Sequence, residues 1–229
     1  MPTQKQRRLL IGAFIFIETI LYLLIMVYNN KWCMFISIAL CLLYSLLLRN
    51  AGDRFTTAAL SLTLAADFFL VLCPEQYRVW GMVFFLGAQT LYATGLQVKQ
   101  YRLSLLLIRI ALAAVALLIT VLVLKDKTDA LALISLCYYA NLLMNITEGF
   151  IQFRINKVYP IGMLLFALCD TVIGLQVMAS AYIPLSDTNL LYQILYPGLN
   201  LAWFFYLPSQ VLLAISGGCN ISNNKEEVS

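Results

Sequence analysis

The chain has 229 residues, of which 62% are hydrophobic and only 11% are charged. A soluble domain of this length is about half apolar with about a quarter of its residues charged, so most of this surface is expected to face lipid. The net charge of +4 is too small and too dispersed to indicate a nucleic-acid partner. Composition therefore predicts a polytopic membrane protein, with residues 1–229 forming a single transmembrane domain.

The reactive side chains narrow the chemistry further. The chain has six Cys and no His, which removes most metal sites, histidine triads and histidine proton relays. The Cys residues show no C-x-x-C spacing and nearly all lie in apolar runs, where Cys behaves as a small hydrophobe. We therefore expect no metal, no cofactor and no disulfide.

Eight apolar runs approach the roughly 20 residues that a helix needs to cross the hydrocarbon core of a bilayer. Short polar breaks separate most of them, and the longest connection covers residues 181–194. The runs predict an all-α bundle of eight transmembrane helices, at residues 9–28, 32–48, 55–73, 79–97, 103–124, 130–151, 159–180 and 195–216.

The distribution of Lys and Arg predicts the orientation of this bundle. Ten of them fall on the side that holds both termini and four on the other side, and Arg109 lies inside a helix. Cytoplasmic loops are enriched in basic residues, so both termini are predicted to be cytoplasmic. The first run is too long for a signal peptide and is read as a retained helix. Residues 217–229 are predicted to be a disordered cytoplasmic tail, and the short tails without targeting motifs favour a bacterial plasma membrane.

Two carboxylates lie deep inside predicted spans. Asp67 is roughly 18 Å along its helix and Asp170 roughly 16 Å along its own, and both helices run in the same direction. An acid at this depth costs roughly 2.5–3.5 kcal/mol, whereas an interhelical polar contact returns only about 0.6 kcal/mol. A functional pair is therefore favoured over a purely structural one, with one carboxyl donating a proton and the other acting as an ionised base.

Other polar side chains reach a similar depth. Gln89, Asn141 and Glu18 lie near the same level, while Gln210 ends a Y-x-x-x-Q spacing and Tyr92 shares the helix face of Gln89. Each of these side chains either bonds a neighbouring helix or positions a substrate or a water, and the sequence leaves both readings open. We expect an inward-facing cavity, because lipid-facing positions would be too costly.

Two further charges lie near one end of the predicted bundle. Arg109 is about two turns from the inner face, where it is expected to snorkel to the interface, or alternatively to bind a lipid phosphate. Glu148 lies near the inner end of its helix and is expected to reach water.

Four segments resemble the YhhN-like lysoplasmalogenase family. They are residues 60–72 (LSLTLAADFFLVL), 80–92 (WGMVFFLGAQTLY), 162–170 (GMLLFALCD) and 206–217 (YLPSQVLLAISG). The resemblance covers about half of the chain and departs from the family pattern at three positions. The first acid usually follows Gly and here follows Ala66, the second usually follows Ser and here follows Cys169, and His is common where this chain has Gln89.

The resemblance implies an eight-helix membrane enzyme that cleaves the vinyl ether bond of a lysophospholipid, releasing a fatty aldehyde and a glycerophospho-alcohol. On this hypothesis Asp67 and Asp170 are the acid and the base, in an order that the sequence does not fix. Gln89, Tyr92 and Gln210 would orient water and the ether oxygen, and the head group would lie toward one interface, near Arg109.

Two other functions are compatible with the pattern. Buried acids in two similar halves also suit a proton-coupled small-molecule transporter, although the repeat would be parallel and no clear Gly/Pro break is visible at mid-depth. A lipid-binding membrane protein without chemistry is the third reading. The sequence does not indicate an oligomeric state.

Overall fold

The computed structural model describes residues 4–48, 54–96, 102–125, 129–181 and 189–217, and all regular structure in these ranges is helical. The α-helices are α1 (Gln4–Tyr28), α2 (Lys31–Leu47), α3 (Arg54–Asp67), α4 (Arg78–Leu96), α5 (Arg102–Leu124), α6 (Ala130–Ile151), α7 (Val158–Ala181), α8 (Leu190–Leu195) and α9 (Leu201–Ser216).

Six helical segments of the described chain are long and apolar enough to cross a membrane. They correspond to α1, α3 with its continuation, α4, α5, α6 and α7. The helices α2 and α9 are apolar but shorter, with 17 and 16 residues. The multi-pass character predicted from composition therefore agrees with the fold. Residues 218–229, most of the predicted tail, lie outside the described residues.

The predicted eighth span begins too early. The apolar run predicts a span at 195–216, but the helix starts at Leu201, because Pro197 and Gly198 interrupt the chain between α8 and α9. Gly198 has φ +78°, a conformation that favours glycine. Asn200 then caps α9 by accepting a hydrogen bond from the backbone N–H of Trp203 at 3.2 Å.

The helix that carries Asp67 changes its winding directly after this residue. Residues Phe68–Leu72 form a π-helical turn, and the backbone N–H of Cys73 closes it on the carbonyl of Phe68 at 3.1 Å. Gly81 of α4 packs here, since a Cβ at this position would lie 2.5 Å from Cγ of Leu70. Turns of this kind are rare and frequent at functional sites. The sequence pattern did not predict it.

The helices pack side by side around a common core. α3 packs on α4, α7 on α9 and α4 on α6, while α9 also contacts α1, α2 and α3. α5 packs on α6 and leaves most of its apolar side chains exposed, as expected for a helix that faces lipid. The interior of the bundle is therefore built mainly by α3, α4, α6, α7 and α9.

Candidate functional site

Asp67 lies at the last α-helical position of α3 and points into the bundle. Its side chain is 3% exposed. The hydroxyl of Tyr206, from α9, donates a hydrogen bond to its Oδ2 at 2.6 Å. This bond joins the two halves of the chain, because α3 belongs to the first half and α9 to the second.

Asp170 lies in the middle of α7 and is partly buried. The hydroxyl of Tyr138, from α6, donates a hydrogen bond to its Oδ2. One residue further along both helices, the hydroxyls of Tyr139 and Thr171 are 2.8 Å apart at a more exposed position. Each aspartate therefore has a tyrosine donor from a neighbouring helix.

Aromatic rings fill the space between these two tyrosines. The ring of Phe166 lies 5.4 Å from that of Tyr206 and 6.4 Å from that of Tyr138. The ring of Phe85 lies 5.7 Å from Tyr138 and 6.3 Å from Tyr206. A single aromatic cluster therefore contacts both hydroxyl-bearing rings.

The two carboxyls are close enough to interact electrostatically with each other. Cys169 interacts with both of them. The structure thus brings together the two acids that residue counting placed at one depth. We call Asp67, Asp170, Tyr138 and Tyr206 the acid site.

Sequence reasoning did not assign Tyr138 and Tyr206 to the site. Tyr206 was visible only as the first residue of the Y-x-x-x-Q spacing. Tyr138 lies three residues before Asn141 and seven before Asn145, so it shares their helix face. This spacing indicates that Tyr138 faces the bundle interior, but it does not indicate that its hydroxyl bonds Asp170.

A second group of buried polar side chains links α4, α5 and α6. Nδ2 of Asn145 donates to Oε1 of Gln89 at 2.7 Å, and Oδ1 of Asn145 accepts from Arg109 at 2.9 Å. Arg109 also forms an ion pair with Oε1 of Glu148 at 2.6 Å. We call Gln89, Asn145, Arg109 and Glu148 the amide network.

This network corrects two expectations. Arg109 does not snorkel to the interface, because its guanidinium turns toward α6 and bonds three residues there. Glu148 does not reach water freely, since it is 6% exposed and pairs with that guanidinium. Neutralisation by an adjacent opposite charge explains why both remain inside the bundle.

Asn141 lies on the α5 side of α6. Its backbone carbonyl accepts from Arg109 at 3.2 Å, and its Nδ2 donates to Oγ1 of Thr90 at 3.3 Å. Both Asn141 and Arg109 line a groove of about 180 Å³ between α4, α5 and α6. The structure does not bring these two side chains to the acid site.

The remaining predicted residues lie inside the bundle on other elements. Oε1 of Glu18, on α1, accepts a hydrogen bond from Sγ of Cys41 at 3.6 Å, and Cys41 in turn interacts electrostatically with Asp67. Tyr92 packs its ring 6.0 Å from that of Tyr159.

A small cavity lies at one end of the bundle, between the first residues of α3 and the last residues of α4, α6 and α9. This end, where α3 begins at Arg54 and α4 and α6 finish, is called the Arg54 end. The cavity measures about 50 Å³. Its lining is formed by Phe55, Thr56, Tyr92, Gly95, Leu96, Gly149, Gln152, Asn156, Tyr159 and Ser216.

The acid site can hold and move protons, with Asp67 buried and Asp170 partly buried in the bundle. A tyrosine hydroxyl fixes one oxygen of each carboxyl, which leaves the other oxygen to act on a ligand. The rings of Phe85 and Phe166, which pack against both tyrosines, favour a hydrocarbon or an unsaturated group over a negatively charged one. The arrangement therefore fits general acid–base chemistry on a lipid-like molecule.

Comparison with known proteins gives one result. The model of the YhhN family matches residues 30–217, which include α2 to α9 and both aspartates and leave α1 with Glu18 outside the match. Comparisons with curated proteins and with solved structures found no significant match. The match covers more than half of the chain, so the chain belongs to the YhhN family.

Proposed function

We propose that this protein is a membrane-embedded hydrolase that cleaves the vinyl ether bond of lysoplasmalogens. The observation that carries the proposal is the acid site: two carboxyls from different halves of the chain each accept a hydrogen bond from a tyrosine, and the rings of both tyrosines pack against one aromatic cluster. The YhhN family match supports the reaction class.

The reaction needs one proton donor, one base and one water. A protonated carboxyl of Asp67 or Asp170 adds a proton to the β-carbon of the vinyl ether, giving an oxocarbenium ion. The other carboxylate takes a proton from the water that attacks this cation, so that a hemiacetal forms. The hemiacetal then collapses to a fatty aldehyde and the glycerophospho-alcohol, with one water consumed in total.

The tyrosines and rings have distinct roles in this proposal. Tyr138 and Tyr206 hold their carboxyls in a fixed rotamer, which limits the entropy lost on the way to the transition state. The negative face of an aromatic ring stabilises a nearby cation, so Phe85 and Phe166 are suited to an oxocarbenium ion.

The membrane arrangement follows the same proposal. α2 and α9 complete an eight-span bundle together with the six longer helical segments. Both termini face the cytoplasm, since the Lys and Arg of the connecting segments are concentrated on that side. A bacterial plasma membrane is the proposed location, and a lysophospholipid of that bilayer is the proposed substrate.

The test is aldehyde release by the purified protein in detergent, with several 1-alkenyl lysolipids as substrates. Wild type is expected to release a fatty aldehyde, and a protein lacking both acidic side chains (Asp67→Asn with Asp170→Asn) is expected to release none above background. A proton-coupled transporter would instead be silent in detergent and show proton-dependent uptake in sealed vesicles. That result would replace the hydrolase proposal.

A further inference from the structure

Three polar side chains form a layer one helical turn from the acid site, on the side of the Arg54 end. Thr63 precedes Asp67 by four residues on α3, Gln89 follows Phe85 by four on α4, and Gln210 follows Tyr206 by four on α9. Four residues of helix correspond to about 6 Å, and α3 runs antiparallel to α4 and α9, so all three residues lie about one turn toward the Arg54 end and share one level. We call Thr63, Gln89 and Gln210 the polar layer.

Each member of the polar layer is buried with one polar atom unused. All three side chains are 0% exposed. Among the residues that the structure describes, Oγ1 of Thr63, Nε2 of Gln89 and Oε1 of Gln210 have no hydrogen-bond partner. An unpaired buried polar atom costs about 1–3 kcal/mol, so three at one level need an explanation.

The direction of the Gln89 amide is fixed by the amide network. Arg109 can only donate, so the atom of Asn145 that it bonds must be the carbonyl oxygen. Asn145 therefore turns its NH₂ group toward Gln89, which must accept with Oε1. This sequence of bonds leaves Nε2 of Gln89 as a free donor, and Arg109 is a positioning residue for it.

The direction of the Gln210 amide is fixed in the same way. The hydroxyl of Ser209 donates its proton to the carbonyl of Tyr206 at 2.6 Å, so its oxygen can only accept from Gln210. Nε2 of Gln210 fills that role at 3.2 Å. Oε1 of Gln210 is thereby left as a free acceptor.

A free donor and a free acceptor at one level match a hydroxyl group, which accepts one hydrogen bond and donates another. We propose that the polar layer binds the glycerol 2-hydroxyl of a lysolipid, accepting its proton with Gln210 and donating to its oxygen from Gln89. The inference rests on the proposed function for the identity of the lipid. The step of about 6 Å between the layers is comparable with the few bonds that separate this hydroxyl from the vinyl ether.

This site would select lysolipids over lipids that carry a second acyl chain. An esterified or methylated 2-oxygen has no proton to give, so Oε1 of Gln210 would stay buried and unpaired. Sites built around a substrate hydroxyl reject analogues that lack it, because the polar groups of the site lose their partner. A water molecule has the same bonding capacity, so the experiment has to separate the two sources.

The test measures binding of two saturated, non-cleavable lipids to purified protein: a 1-O-alkyl lysophosphatidylethanolamine and its 2-O-methyl analogue. Wild type is expected to prefer the free hydroxyl by about 5- to 150-fold. Gln210→Met is expected to bind both lipids alike. The matched control is Gln176→Met, on the far part of α7, where the side chain bonds only the carbonyl of Leu195 among described contacts, and it should keep the wild-type preference.

Equal binding of the two lipids by wild type would mean that the layer holds water only, and this would overturn the inference. So would a full preference retained in Gln210→Met. If that variant binds neither lipid, the ratio of the two affinities in wild type still decides the question. The two lipids are not cleaved, so this binding test does not depend on hydrolysis. If the protein prefers the free hydroxyl but releases no aldehyde, the hydroxyl site is supported and the hydrolase proposal is wrong.

Discussion

The acid site and the amide network are both buried and polar, but they differ in how fully their groups are paired. In the amide network the Arg109 guanidinium has three acceptors, one of which is the Glu148 carboxylate. In the acid site each aspartate receives one tyrosine hydrogen bond. Within the described residues the ion pairs are Arg78–Glu75 and Arg109–Glu148, so neither aspartate has a cationic partner there.

This difference distinguishes polar groups that hold helices together from polar groups that are available for chemistry. In the amide network Arg109, Glu148 and Asn145 are paired with one another and hold helices together, and of its described groups Nε2 of Gln89 is the one left for a ligand. Carboxyls with one fixed oxygen and no counter-ion remain available for proton transfer. The contrast predicts that substitutions in the acid site change activity and that substitutions of the Arg109–Glu148 ion pair change stability.

The largest effect is expected from removing either carboxylic acid. Asp67→Asn and Asp170→Asn keep the shape and an acceptor for the tyrosine, but they cannot transfer a proton. Aldehyde release should fall by about 10²- to 10⁴-fold with the thermal midpoint nearly unchanged. Asp129→Asn is the control, since Asp129 only caps α6 by accepting from Ala132. Wild-type rates in both single mutants would remove the acids from the mechanism.

The next effect tests the structural side of the comparison. Arg109→Leu leaves the Glu148 carboxylate buried without its partner and should lower the free energy of unfolding by about 3–5 kcal/mol. The double variant Arg109→Leu with Glu148→Leu should recover most of this loss, because no charge is then left unpaired. Unfolding in a graded denaturing detergent measures both. Equal stability of the two variants would show that the ion pair is not what holds α5 on α6.

A smaller effect is expected from the tyrosine donors. Tyr138→Phe removes the hydrogen bond to Asp170, and a bond to a charged group contributes about 1.5–3 kcal/mol, so activity should drop by tenfold or more. Tyr139→Phe is the adjacent control, because it loses only a bond to Thr171 at an exposed position. Its rate should stay within about twofold of wild type. Similar rates in the two variants would contradict the role given to Tyr138.

The smallest effect concerns the packing under Asp67. Gly81→Ala places a Cβ against Leu70 in the π-helical turn, with an expected cost of about 1–3 kcal/mol that better helix propensity partly offsets. Gly12→Ala is the control, since nothing lies within 4 Å of a Cβ there. Thermal midpoints measure both. If Gly81→Ala is as stable as Gly12→Ala, the close packing of α4 on this turn contributes little.

Much of the architecture could be predicted because lipid imposes a length and a polarity on every helix. Run lengths located the helices, and the rise per residue placed Asp67 and Asp170 at one depth. Pro197 and Gly198 are a signal for the break before α9, but the apolar residues on both sides of them favour one continuous span.

The partners of each polar group were not predictable. They depend on how each helix is rotated against its neighbours, and apolar sequence on all sides leaves that rotation undetermined. Arg109 was therefore expected at the interface, and Tyr138 was not recognised as the donor to Asp170. The roles of the predicted site residues in substrate binding and catalysis remain predictions.

The π-helical turn after Asp67 has a consequence for how this helix is engineered. A turn with i→i+5 bonding accommodates one residue more than a regular turn, and in an α-helix one residue corresponds to about 100° of rotation. The Phe68–Leu72 segment therefore sets how α3, and with it the Asp67 side chain, is rotated relative to the chain that follows. Deleting one residue there would leave the hydrophobicity and length of the span almost unchanged. It would nevertheless rotate the Asp67 side chain away from Tyr206 and toward a different neighbouring helix.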